Sequence, residues 1–172
     1  MVRLKNDLVH FLTQEEIKKL VKNLARQIEM DYENKELVVI CPLRGSIHFC
    51  ADLIREIQLP QQVDFVLVKS MAKGGSATIV KDITVNVTNK HVLVVEEIID
   101  TGRTLNFLLQ RLEASQPSSL KVVTLLDKPA RREISLKPDY IGKTIEDRYI
   151  VGYGMDSEEY GRNYPDIYFL KN

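Results

Sequence analysis

Val92-Leu93-Val94-Val95-Glu96-Glu97-Ile98-Ile99-Asp100-Thr101-Gly102-Arg103-Thr104-Leu105 is the stretch whose reading decides the fold. It opens with four apolar, mostly β-branched residues, as expected of a strand buried on both faces of a parallel sheet. Two adjacent carboxylates follow at the expected carboxyl end of that strand, and then a short polar run from Asp100 to Thr104. Leu105, Leu108, Leu109 and Leu112 recur at helical spacing. The order is strand, acidic pair, polar loop, helix start, and open α/β sheets collect ligands where strands end and helices begin.

The loop composition suggests a ligand. Gly102 allows close backbone approach, Thr101 and Thr104 bring hydroxyls, and Arg103 adds a fixed charge. The unpaired N–H groups of a helix start complete a cradle for one phosphate. Glu96 and Glu97 accept hydrogen bonds only, which suits vicinal sugar hydroxyls or a Mg²⁺ ion. Phosphate at one end and a diol at the other describe a ribose 5-phosphate. Plainer readings stay open on these residues alone: a solvated acidic pair, and Asp100 as an ordinary helix cap. An aspartic-protease Asp-Thr-Gly is excluded by the helix that follows, and neither a Walker loop nor a G-x-G-x-x-G run is present.

Composition narrows the classes. At 172 residues the chain has the size of one domain with a substantial core. Lys plus Arg equal Asp plus Glu at 24 each, which argues against a broad nucleic-acid-binding face. No apolar run reaches membrane-spanning length, and Met1 to Asp7 is too polar for a signal peptide. Cys41 and Cys50 fall outside any Cys-x-x-Cys or Cys/His cluster, so free thiols in a reducing cytosol are expected. The histidines His10, His48 and His91 are scattered and read as structural or surface groups.

Outward from the central stretch, Thr13-Gln14-Glu15-Glu16 reads as a capping box ahead of a helix with the stripe Ile17, Leu20, Val21, Leu24, Ile28. Leu37 to Cys41 is a second buried strand. It leads through Pro42-Leu43-Arg44-Gly45-Ser46 into a helix with Ile47, Cys50, Ala51, Ile54 and Ile57 on one face. Val63 to Val68 and Ile83 to Val87 are both strand-like, and Ser70 to Thr78 between them is small and polar. Leu120 to Leu126 is a further strand, ending in the basic cluster Asp127-Lys128-Pro129-Ala130-Arg131-Arg132. The carboxyl-terminal segment is rich in Tyr and Gly, from Pro138 through Tyr149 and Asp156 to Arg162. Alternating strands and helices predict a mostly parallel α/β sheet.

From about Leu37 onward the chain resembles the type I phosphoribosyltransferases, in the hypoxanthine/hypoxanthine-guanine branch, with the stretch 92 to 105 resembling the phosphoribosyl pyrophosphate (PRPP) signature. The resemblance implies that branch's fold, a mostly parallel sheet flanked by helices under a small hood. Residues 1–172 form one domain, the core spanning about 37–135 and the hood the amino-terminal segment and about 138–172. It implies transfer of 5-phosphoribosyl from PRPP to N9 of a 6-oxopurine with Mg²⁺. Asp100, Thr101, Gly102, Arg103 and Thr104 would hold the 5-phosphate, and Glu96 and Glu97 the ribose hydroxyls and metal. Arg44, Gly45 and Arg162 would meet pyrophosphate, with a cis peptide between Leu43 and Arg44. Asp100 would exchange a proton with purine N7.

For the base, the resemblance puts Lys128 at the 6-oxo group, Tyr149 on the ring face, Ile150 at the base edge and Asp156 between base and Mg²⁺. An ammonium donates to a 6-oxo group but opposes a 6-amino group, so adenine should be refused. Two departures stand out: Glu97 replaces a usual Asp, and Ser70-Met71 replaces the Ser-Tyr pair of the family's lid. The partners implied are PRPP and a purine base, in a cytoplasmic homodimer or homotetramer without nucleic acid or membrane. A competing reading is a regulator of the same fold that senses PRPP and binds nucleic acid.

Overall fold

A computed structural model describes residues 8–69 and 77–171. Its large sheet contains β2 (Leu37–Leu43), β3 (Gln61–Lys69), β4 (Thr78–Lys81), β5 (His91–Ile99), β6 (Ser119–Asp127) and β7 (Tyr140–Thr144), in the order β4-β3-β2-β5-β6-β7. All neighbours run parallel except β4, which is antiparallel to β3 at the edge. A second, antiparallel sheet joins β1 (Leu8–Leu12), β9 (Ile167–Leu170) and β8 (Ile150–Val151), so the chain's two ends are paired with each other. β7, from the segment expected in the hood, adds to the large sheet instead.

The buried runs in β2, β5 and β6 sort by alternation, because successive strand side chains point to opposite faces. Val39, Cys41, Leu93, Val95, Val123 and Leu125 share one core with α1 (Gln14–Asp31) and α2 (Ile47–Glu56). Val38, Ile40, Val92, Val94 and Val122 share the other with Leu105, Leu108 and Leu112 of α3 (Arg103–Glu113). Each central strand is therefore apolar on both sides, and a fully buried Leu93 truncated to Ala would cost about 2–5 kcal/mol. The Thr13–Glu16 capping box is formed as expected at the start of α1.

Several expectations are corrected. β5 continues through the acidic pair to Ile99, so Glu96 and Glu97 lie inside the strand and not beyond it. Residues 83–87 form no strand. The Asp64 carboxylate takes the N–H groups of Thr84 and Val85 and the Thr84 hydroxyl, so these donors are satisfied outside a ladder. Their alternating apolar side chains pack on the α3 side, with Val87 buried. In α2 the buried face is Phe49, Cys50 and Leu53, and Ile47 is exposed.

The thiols expected to be free are joined: Cys41 at the end of β2 and Cys50 one helical turn into α2 form a disulfide. The strand-to-helix turn brings their Cα atoms to 6.4 Å, within the span of such a bridge. No helix among the described residues is long and apolar enough to cross a membrane. The lid expected at Ser70 to Thr78, Met71 included, lies outside the described residues except for Ala77 and Thr78.

Candidate functional site

Four chain segments meet at the carboxyl edge of β2, β5 and β6. They enclose a cleft of about 480 Å³ lined by Arg44, Gly45, Glu96, Glu97, Asp100, Thr101, Gly102, Thr104, Asp156 and Arg162 among others. A smaller pocket of about 210 Å³ adjoins it, lined by Glu97, Ile98, Asp100, Lys128, Tyr149, Ile150, Met155 and Asp156. Glu97, Ile98, Asp100 and Asp156 line both, so the two spaces share a wall. A bipartite ligand with an anionic sugar in one and a flat ring in the other fits this plan.

The anion cradle is built from backbone. Gly102 sits at φ +83°, a left-handed conformation that favours glycine, and precedes the first turn of α3. Gly102 at the N-cap has no side chain to cap that helix, and its first N–H, that of Arg103, reaches the Thr101 hydroxyl at 3.4 Å. The Asp100 cap considered from sequence is not formed. Arg103 turns away: its guanidinium pairs with Glu133, and it does not line the cleft. Only its backbone belongs to the cradle.

At the opposite end the groups are side chains. The Leu43–Arg44 peptide is cis, as the resemblance implied. Gly45 packs so closely on the Glu97 carboxylate that a Cβ would collide with it. Arg44 engages Glu159 with both guanidinium nitrogens at 2.8 Å. Arg162 pairs with Asp156 at 2.8 Å, donates to the Gly154 carbonyl at 2.9 Å and reaches Glu159 at 3.4 Å. Asp156 in turn accepts the Glu159 N–H at 2.8 Å. Glu159 is thus the hub of both arginines, a role no sequence signal indicated.

Electrostatics separate the acids. Burial and the neighbouring Glu97 charge push Glu96 well above the usual carboxylate range. Burial also raises Glu97; its own backbone N–H and Arg162 oppose this, while Asp156 reinforces it. Two carboxylates that resist ionisation together will welcome a cation. Among the described residues no group of three His, Cys, Asp or Glu is spaced to cage a metal unaided. Hard oxygen donors dispersed around one cleft suit a cation that arrives with its phosphates.

In the smaller pocket Lys128 is only 7% exposed, and burial lowers its pKa, while the Asp100 and Asp147 charges raise it. Its backbone N–H bonds the Ile99 carbonyl at 3.0 Å, so β6 delivers it beside the β5 loop. Ile150 is buried in β8, and Tyr149 stands 56% exposed at the mouth, its ring free for stacking. All the predicted site residues apart from Arg103 therefore line one of the two spaces. Sequence reading missed the roles of Asp127, Arg131, Arg132 and Glu133. Arg132 ties the Asp127 carboxylate to the Asp100 carbonyl, and the Glu133 N–H bonds the Thr101 carbonyl at 3.0 Å. The only signal was a basic cluster, which more often marks a solvated loop.

Known proteins resemble the chain throughout. Residues 10–158 match the phosphoribosyl transferase domain. A hypoxanthine-guanine phosphoribosyltransferase of Staphylococcus aureus is 42% identical over 171 residues, covering 96% of each chain. The crystal structure of a hypoxanthine-guanine phosphoribosyltransferase from Bacillus anthracis, with a HEPES molecule in its active site, superposes with TM-score 0.92 at 44% identity, covering 96% of this chain and 99% of that one. A Staphylococcus aureus hypoxanthine phosphoribosyltransferase superposes with TM-score 0.94 at 40% identity, covering 99% of this chain and 95% of that one.

Proposed function

The chain belongs to the phosphoribosyltransferase family, in its hypoxanthine-guanine branch, and from that premise we propose a role for each group in the cleft. It is a purine-salvage enzyme that moves 5-phosphoribosyl from PRPP to N9 of hypoxanthine or guanine, giving IMP or GMP and pyrophosphate. The observation that carries the assignment of roles is the shared wall: Asp100 lies between the sugar cleft and the Lys128 pocket.

Thr101 to Thr104 hold the 5-phosphate through backbone N–H and hydroxyl donors, and this remote grip orients C1. Glu96 and Glu97 take the ribose hydroxyls. Arg44, Gly45 and Arg162 receive the pyrophosphate, which displaces Glu159 from the two arginines. Lys128 donates to the 6-oxo group, Tyr149 covers the ring and the Ile150 backbone meets its edge. Asp100 accepts the N7 proton as N9 becomes bonded to C1, and returns it to N7 only in the reverse reaction. Glu96, Glu97 and Asp156 would hold Mg²⁺ with the substrate phosphates, where it would supply positive charge to the leaving pyrophosphate. The whole chain, 1–172, acts as one domain with a hood over a core, self-associated as a dimer or tetramer in the cytoplasm.

Purified protein with PRPP and Mg²⁺ should form nucleotide from hypoxanthine and guanine and none from adenine, read by chromatography; xanthine is run in parallel to map the 2-position. Failure with every base would overturn the assignment and favour a PRPP-binding regulator.

A further inference from the structure

Consecutive arginines hold the two halves of Asp100. Arg132 binds its main-chain carbonyl, and Arg131 Nε donates to its carboxylate at 3.0 Å. The same Arg131 Nε lies 3.7 Å from the Asp147 carboxylate, two residues before Tyr149. We propose that Arg131 is a positioning residue: a strap across the mouth of the purine pocket that aims Asp100 and draws the Asp147–Tyr149 loop toward it. The proposal rests on the acid/base reading of Asp100 above.

The local architecture leaves Arg131 little alternative. Pro129–Arg131 forms one 3₁₀ turn, closed by the Arg131 N–H on the Lys128 carbonyl at 3.1 Å. The turn is fastened on either side to the catalytic loop, by Lys128 N–H to Ile99 O and Glu133 N–H to Thr101 O, both at 3.0 Å. The loop before Tyr149 is fastened at its base, where the Ile145 N–H bonds the Asp127 carbonyl at 2.9 Å, and the Arg148 guanidinium lies 3.9 Å over the Phe169 ring. Arg131 adds a side-chain bridge farther out, at the mouth, between Asp100 and Asp147.

Its purpose is not stability. The side chains of Arg131, Asp100 and Asp147 are each about half exposed (47%, 45% and 52%), and ion pairs in that setting contribute little to folding. Orientation is different. When a base enters, water leaves and the same contacts strengthen in the lower dielectric. Without Arg131, the Asp100 and Asp147 carboxylates lose the guanidinium between them, with Lys128 still near both and Arg132 on the Asp100 carbonyl, and their repulsion should push the loop outward.

The test is kinetic. Arg131→Ala should lower kcat/KM for hypoxanthine roughly ten- to hundredfold, the range for a displaced catalytic group. The KM for PRPP should stay within about twofold, and so should the thermal midpoint within a few degrees. Arg131→Lys keeps the charge but not the fork, and should fall between. The penalty of Arg131→Ala should shrink in an Asp147→Asn background, because the facing charge is then gone. An Arg131→Ala enzyme with unchanged purine kinetics, or strict additivity with Asp147→Asn, overturns the strap. Asp100→Asn separates the two levels: lost turnover there with normal Arg131→Ala kinetics removes the strap alone. Unchanged turnover in Asp100→Asn removes the acid/base reading and the strap with it.

Discussion

At the Thr101–Thr104 end of the cleft the groups proposed to bind an anion are largely main-chain donors, set by a left-handed Gly102 at the start of α3. At the Arg44–Arg162 end they are long side chains already paired with Glu159 and Asp156. On the proposed roles, the first end is preorganised for a phosphate, and the second would exchange internal carboxylates for pyrophosphate oxygens. PRPP would then be anchored by its 5-phosphate, which stays with the product, while the leaving group would be held by groups that can let it go. Product release would benefit from the same arrangement, with Glu159 at hand to reclaim the arginines.

The largest effect should come from a change that leaves the rigid end's shape untouched. Asp100→Asn is nearly isosteric and removes the proton-accepting charge, together with its pairing to Arg131, so kcat should drop by about 10² or more while the KM for PRPP holds. Steady-state kinetics in both substrates measures this, and a rate near wild type would take Asp100 out of the chemistry. Next comes Gly102→Ala, which attacks the cradle itself. A non-glycine residue in left-handed backbone costs about 1–2 kcal/mol, and the new Cβ would lie 3.2 Å from Arg132 Cδ. The KM for PRPP should rise about five- to thirtyfold with the purine KM little changed. Equal changes in both would mean that the two spaces are not separately built.

How much of this could be read in the sequence follows the same division. The cradle was legible because its signals are local: a buried β-branched run, a glycine, hydroxyls and helical leucines within fourteen residues. The pocket residues Lys128 and Tyr149 were legible through resemblance. Glu159 was not, because its partner Arg44 is 115 residues away and nothing local distinguishes it from any surface glutamate. The non-strand at 83–87 failed for a related reason. Its alternation was real, but Asp64 on β3 captured the backbone donors a ladder would have needed. The register of Glu96 and Glu97 was misjudged because charges within a strand read as its end; here the last third of β5 opens into the cleft, which tolerates them.

A smaller effect concerns those two acids. Burial raises Glu97 from 4.5 to about 7, so between those values the folded chain holds protons that the unfolded chain has released. Its contribution to stability is then greatest below pH 4.5 and is lost as pH rises through about 7. Without ligand, the protein should lose stability across that window, read as a falling thermal midpoint. Glu97→Gln should flatten the curve, leaving the part that Glu96 contributes. Parallel curves for the two proteins would show that the Glu97 carboxyl ionises in the fold as readily as in water.

The smallest expected change is the one that bears most directly on the contrast between the ends. Glu159→Gln keeps the turn after Asp156, whose carboxylate holds the residue 159 backbone N–H, and removes only the charge that occupies Arg44 and Arg162. Arg44 would then wait without a carboxylate partner, while Arg162 keeps Asp156 and the Gly154 carbonyl. Exposed ion pairs of this kind contribute about 0–1 kcal/mol, so the KM for PRPP should fall by about two- to fivefold and no more. The rate of pyrophosphate release should slow by a similar factor, since the competing carboxylate is gone. Titration of pyrophosphate against the two proteins measures the first quantity without turnover, and stopped-flow release measures the second. A weaker pyrophosphate affinity in Glu159→Gln would reverse the reading: the carboxylate would then be holding the arginines in place for the ligand rather than standing where the ligand goes.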